Sequence, residues 1–209
     1  MEQKAMVKRT DVILSIGILV LVLLALALMV ATGSTGEFIG WAWERHHNVI
    51  SWYLRPLFFL PFCFFAYKRS LSGMILTLLA LATSMSWFPA PEHSDPMTLE
   101  FLAVEREYLT GEWTIAKVLL ALIVPISFAA LGFVFWMRSI VYGLVLLNAV
   151  VLVKLVWSFY FGDASGGLTL LPSALAGLAV CDAVILYVVH KIRKGSSPKP
   201  PRQVSQHGG

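Results

Sequence analysis

Six long apolar stretches, separated by short gaps, decide the solvent in which this 209-residue chain folds. They run over residues 12–32, 49–67, 71–88, 114–136, 139–161 and 168–190. A bilayer core about 30 Å thick is crossed by roughly 20 helical residues, so the expected fold is all-α, a polytopic membrane bundle of six transmembrane helices. Composition agrees: 58% of residues are hydrophobic, 13% are charged and the mean hydropathy is +0.77. Soluble domains carry about a quarter charged residues. Six crossings leave no room for a separate soluble domain of ordinary size, so function belongs to the bundle or its loops. The first stretch exceeds the apolar core of about 7–15 residues found in secretory signals. It reads as a retained anchor, although the GSTG that follows offers small residues for cleavage.

The gaps between stretches differ sharply in charge. Residues 1–11, the tight turns at Lys68–Arg69 and Arg138, and the tail 191–209 hold Lys4, Lys8, Arg9, Lys191, Arg193, Lys194, Lys199 and Arg202 against Glu2 and Asp11. The alternate gaps hold Arg45 and Arg106 against Glu37, Glu44, Glu92, Asp95, Glu100, Glu105, Glu107, Glu112 and Asp163. Short loops rich in Lys and Arg stay on the cytoplasmic side. Both termini are therefore expected in the cytoplasm, with a bacterial inner membrane as the default location. The formal charge of +4 is explained by that anchoring, and no nucleic-acid partner is expected. The tail, rich in Gly, Ser, Pro and Gln, reads as disordered.

The outer loops look structured. Asp95 before Pro96 is a helix start and Gly111 a stop. Between them Phe101, Leu102, Glu105, Tyr108 and Leu109 share a face, which describes an amphipathic helix on the outer surface of the bundle. The segment EFIGWAWERHHNVISWY carries Phe38, Trp41, Trp43, Trp52 and Tyr53, an interfacial composition, and reads as a short interfacial helix or a re-entrant loop. No convincing internal repeat is visible; the hairpin-like spacing of spans two to five permits a weak one.

Charges inside spans usually face protein or water. Arg55, Lys117 and Lys154 fall in the outer half and Asp182 in the inner half. The three cations would attract an anionic group, with Glu105 and Glu107 completing a charge network and Asp182 serving as an inner relay. Simple snorkelling of the long stems is the plainer alternative. Arg55 lies too close to Lys68 for a full crossing, so a partner is expected among Glu44, Glu105 and Glu107. A second outer cluster comprises Glu44, Arg45, His46, His47 and His93. Adjacent histidines diverge on a helix, unlike the i, i+4 pair of a zinc protease, so no metal site and no cofactor is assigned. Asp182 has a competing reading as a packing lock to Asn148, with His190 further along its helix. Ser173, Gly177 and Cys181, four residues apart, mark a close helix contact. Cys63 and Cys181 lack the spacing of a disulfide framework or zinc site and read as buried packing residues. Pro56, Pro61, Pro125 and Pro172 bend or begin their spans.

Phosphate-binding loops, nucleophile elbows and dinucleotide fingerprints are absent, which argues against an ATP-driven pump or a soluble-type hydrolase. The leading expectation is an outward-facing polar vestibule that binds or transports a small solute, ion or amphiphile. One alternative is an integral-membrane enzyme acting on a lipid-like substrate around Glu44, His46, His47, His93 and Glu105. The other is an accessory subunit in contact with a membrane-protein partner or a second copy of itself.

Overall fold

The computed structural model describes residues 8–161 and 163–195, and every element among them is helical. Four helical stretches are long and apolar enough to cross a membrane: Arg9–Ala31, Ile50–Lys68, Ile115–Trp136 and Leu168–Lys191. Two further apolar helices, Leu71–Ser86 and Ile140–Val156, are shorter. Residues 1–7 and 196–209, which include most of the basic tail, lie outside the described residues.

Helix α1 (Arg9–Ala31) is apolar on every side and ends where Gly33 turns to φ 69°, with Ser34 N–H donating back to Met29 O. Such a left-handed stop is natural for glycine, which has no Cβ to clash. Helix α2 (Thr35–His46) follows at once, so the aromatic segment after the first span is helical up to His46. The second apolar stretch is not one regular helix. It starts as α3 (Ile50–Leu54), tightens to a 3-10 turn over Arg55–Phe58, and resumes as α4 (Phe59–Lys68). Pro56 has no N–H to give to the carbonyl one turn earlier, which is why the helix changes pitch there.

Helices α4 and α5 (Leu71–Thr83) form one hairpin, and α7 (Ile115–Trp136) and α8 (Ile140–Phe161) form another. Their turns are built alike. Arg69 and Arg138 sit at φ 58° and 60°, and each is followed by a serine whose N–H returns to the helix just ended, Ser70 to Phe65 O and Ser139 to Val134 O. The turns also hold each other. Arg69 Nε donates to Trp136 O at 3.2 Å, and the Arg138 guanidinium lies 5.6 Å from the centre of the Tyr67 ring. In each hairpin a phenyl ring of the first helix presses on a glycine of the second, Phe65 on Gly73 and Phe135 on Gly143. The weak likeness of spans two to five is therefore strongest at the turns.

Helix α6 (Pro96–Thr110) begins as the Asp95–Pro96 pair dictates, with the Asp95 carboxylate accepting from Thr98 N–H at 3.3 Å, and ends before Gly111. Thr98, Phe101, Leu102 and Glu105 form its inward face, with Thr98 and Leu102 fully buried. Helix α9 (Asp163–Gly195) is longer at both ends than its apolar core, and Lys191 and Lys194 still lie within it.

The core is where α4, α7, α8 and α9 meet: Phe62, Cys63 and Ala66 pack against Leu131, Phe135, Leu147 and Cys181. Small residues make the tightest contact. Ser173, Gly177 and Cys181 of α9 are all buried, and a Cβ on Gly177 would lie 2.2 Å from Pro56 Cβ. The Cys181 thiol donates to Pro56 O at 3.4 Å. Apolar side chains gain nothing from burial when the alternative is lipid, so close backbone approach of this kind does much of the holding. The α9 face thus seats directly on the 3-10 turn that carries Arg55. Helix α1 packs at the edge, against α5. Its Asp11 carboxylate caps the start of α5, accepting from Leu71 N–H at 2.7 Å, Ser72 N–H at 3.3 Å and the Ser70 and Ser72 hydroxyls.

Candidate functional site

The short turn between α2 and α3 sets the geometry. Asn48 Oδ1 accepts from Ile50 N–H, Asn48 Nδ2 donates to Pro89 O, and Ser51 Oγ donates to Asn48 O. The buried Trp52 indole then donates to His46 O at 3.1 Å and its ring meets Phe101 of α6 edge-on. These bonds bring the last residue of α2, the first turn of the second span and the middle of α6 to one point.

At that point His46, only 4% exposed, bridges two charged side chains. Arg55 reaches its Nδ1 at 2.7 Å, and Glu105 Oε2 lies 3.0 Å from its Nε2. A guanidinium can only donate, so Nδ1 must accept. The ring proton therefore sits on Nε2 and is donated to Glu105, and a neutral imidazole satisfies both bonds. Arg55 also contacts Ser51 Oγ at 3.5 Å through the same NH2 nitrogen. Its other guanidinium nitrogens and Glu105 Oε1 make no hydrogen bond to the described residues.

Burial pushes the Glu105 carboxyl up, but the His46 hydrogen bond, the charge of His46 when it is protonated, and the Lys154 and Arg55 charges outweigh it and hold the group below its ordinary value. Lys154, from α8, adds positive field at Glu105 from a distance: it is exposed and forms no ion pair with that carboxylate within 4 Å. The polar group opens on a cleft of about 300 Å³. Its lining mixes the polar side chains of His46, Arg55 and Glu105 with Trp43, Leu81, Ala82, Met85 and Leu109.

Arg55, Glu105 and His46 are thereby brought together, and Lys154 stays outside the lining of the cleft. The other residues singled out from sequence lie elsewhere. Lys117 donates to Gly111 O and Glu112 O and sits over the Tyr108 and Trp113 rings, where its charge suits the carbonyl end of α6. Arg45 stacks on Trp41, and His47 Nδ1 donates to Trp43 O. Glu44, His93 and Glu107 are exposed. Among the described residues no three His, Cys, Asp or Glu side chains converge as metal ligands. Asp182 is not among the residues lining the cleft and takes Asn148 Nδ2 at 3.1 and 3.2 Å on its two oxygens; His190 is exposed.

Two features escaped sequence reasoning. Asp11 was counted only as a stray acid, though serines flanking the start of α5 were waiting for an acceptor at the same depth. The apolar lining of the cleft from Leu81, Ala82 and Met85 carried no signal distinct from ordinary span residues. Compared with protein-family models, curated proteins and solved structures, the chain matches none.

Proposed function

We propose that this chain is a six-span inner-membrane protein, with both termini cytoplasmic, whose outward cleft binds the head of an amphiphile. The shorter helices, 71–86 and 140–156, serve as the third and fifth crossings in this reading. One observation carries it: the same cleft is lined both by the hydrogen-bonding side chains of His46, Arg55 and Glu105 and by the apolar side chains of Leu81, Ala82, Met85 and Leu109. A polar solute would leave the apolar lining unmatched, and a hydrocarbon the polar groups. The cleft lining includes neither Lys154 nor Asp182. Binding is therefore favoured over a through-path for transport.

Native mass spectrometry of the protein extracted in a mild detergent tests the reading. Retained lipid is expected on the wild type and its loss on Leu81→Arg/Met85→Arg, which fills the apolar lining with charge. Equal retention by both would sink it. The His46–Glu105 contact favours a second reading, chemistry at the interface. Both imidazole nitrogens are engaged, so Glu105 would be the base. Time-dependent conversion of a retained lipid, abolished by Glu105→Gln, would select it.

A further inference from the structure

Arg55 spends its shortest bond on an uncharged acceptor. Its NH2 nitrogen donates to His46 Nδ1 at 2.7 Å, while the Glu105 carboxylate lies at the other ring nitrogen, 3.0 Å from Nε2. Among the described residues no ion pair joins Arg55 to Glu105 within 4 Å, so a neutral imidazole separates the two charges. A guanidinium bonds an oxyanion more strongly than a neutral acceptor, because both partners are then charged. Arg55, His46 and Glu105 all line the cleft, and an oxyanion entering it competes with the ring for Arg55.

If Arg55 turns to the ligand, Nδ1 keeps a bare lone pair on a side chain only 4% exposed. A buried polar atom left unpaired is costly. One proton from solvent removes the cost: Nδ1–H donates to the same oxyanion, and the imidazolium faces the Glu105 carboxylate through Nε2. Charge then closes, with Arg55 and the imidazolium balancing Glu105 and the anion. The other faces of the ring meet Trp43 and Trp52, which do not titrate. Of the charges nearby, Lys154 of α8 acts on Glu105 from a distance, Arg45 is stacked on Trp41, and Glu44 is exposed.

We infer that the cleft takes an amphiphile with a singly charged oxyanion head together with one proton, which His46 holds on Nδ1 while Arg55 turns from the ring to the ligand. This rests on the amphiphile reading above and names its head group and its coupling. An uncharged head would leave the bond between Arg55 and His46 in place and bring in no proton.

The test is isothermal titration calorimetry of the full-length protein in a maltoside detergent. The probes are dodecanesulfonate, whose charge does not change with pH, and uncharged dodecanol. Repeating each titration in buffers of different ionisation enthalpy counts the protons taken up. At pH 7 the sulfonate should bring in about half to one proton and dodecanol none, and sulfonate binding should weaken by up to about tenfold per pH unit above neutrality. His46→Asn sets an amide oxygen near Nδ1, an acceptor for Arg55 that takes no proton, so the uptake should vanish. His47→Gln should keep it, because that ring bonds Trp43 O and lies outside the cleft lining. Thermal unfolding checks that both variants fold; if His46→Asn does not, the wild-type proton count decides alone. If neither probe binds, the amphiphile reading itself fails. Sulfonate binding with no proton uptake, or with equal uptake in a folded His46→Asn, leaves that reading standing and overturns the coupling. Binding of dodecanol alone overturns the anionic head group.

Discussion

Gly177→Ala puts one methyl group at the point of closest approach in the bundle. The added carbon would lie 2.2 Å from Pro56 Cβ and 2.8 Å from Pro56 Cγ. Carbon atoms settle at about 3.5–4.0 Å, so α9 and the 3-10 turn must part by roughly 1.5 Å. Pro56 cannot rotate away, because its ring is closed onto the backbone. Overpacking of this kind costs about 1–3 kcal/mol, and a rigid partner places it in the upper half of that range. Against this, alanine in place of a mid-helix glycine gains up to ~1 kcal/mol of helix propensity. The clash wins, and the net is a loss of about 1–2 kcal/mol. A fluorogenic maleimide reads it during heating in detergent, because Cys63 and Cys181 are 3% and 1% exposed and react only on unfolding. Gly40→Ala, in α2 with nothing within 4 Å of the new Cβ, is the control and should hold or raise the midpoint. If Gly177→Ala rises with it, the seating of α9 on Pro56 is wrong.

Asn148→Leu should destabilise the bundle by roughly 1–3 kcal/mol, because it strands the Asp182 carboxylate. The double change with Asp182→Leu should recover most of that, as a double-mutant cycle by thermal unfolding would show. Glu105 is held below its ordinary value of 4.5, so its contribution is complete above that pH and is lost as the pH falls through the folded value. Its side chain is 35% exposed, so the effect is screened to under about 1 kcal/mol; Glu105→Gln should flatten the acid limb of the unfolding midpoints below pH 4.5. Asp11→Ala removes the acceptor at the start of α5 and should cost about 1 kcal/mol, with Asp11→Asn recovering part; identical midpoints for all three would remove the cap from the account.

Local chemistry was the legible part of this fold. Asp95–Pro96 and Gly111 marked α6 because a cap, a preset φ and a stop act within a few residues. Ser173, Gly177 and Cys181 announced a close contact by size and spacing alone, but not that Pro56 was the partner. Arg55 was expected to need an acid, and Glu105 was among those named. The imidazole between them was not foreseen, because its placement depends on the Asn48 and Trp52 bonds that fold the α2–α3 turn. The break in the second span needed Pro56 and Pro61 weighed together against a helix whose apolar length looked uninterrupted. Lys117 shared a depth with Arg55 and Lys154 but not a helix face, and depth was all that sequence offered.

The paired turns have a consequence for how the molecule is organised. Tyr67, Arg69 and Ser70 correspond to Trp136, Arg138 and Ser139, and each arginine grips the other turn at its counterpart, Trp136 or Tyr67. That is the self-complementary pattern of a two-fold dimer interface, here written into one chain. The two hairpins behave as fused protomers around a pseudo-axis through their turns. Symmetry is broken at the cleft, whose lining comes from α2, the Arg55 turn, the Leu81, Ala82 and Met85 end of the first hairpin and α6, with no residue from the second hairpin. The cleft is thus the place where two equivalent halves have ceased to be equivalent.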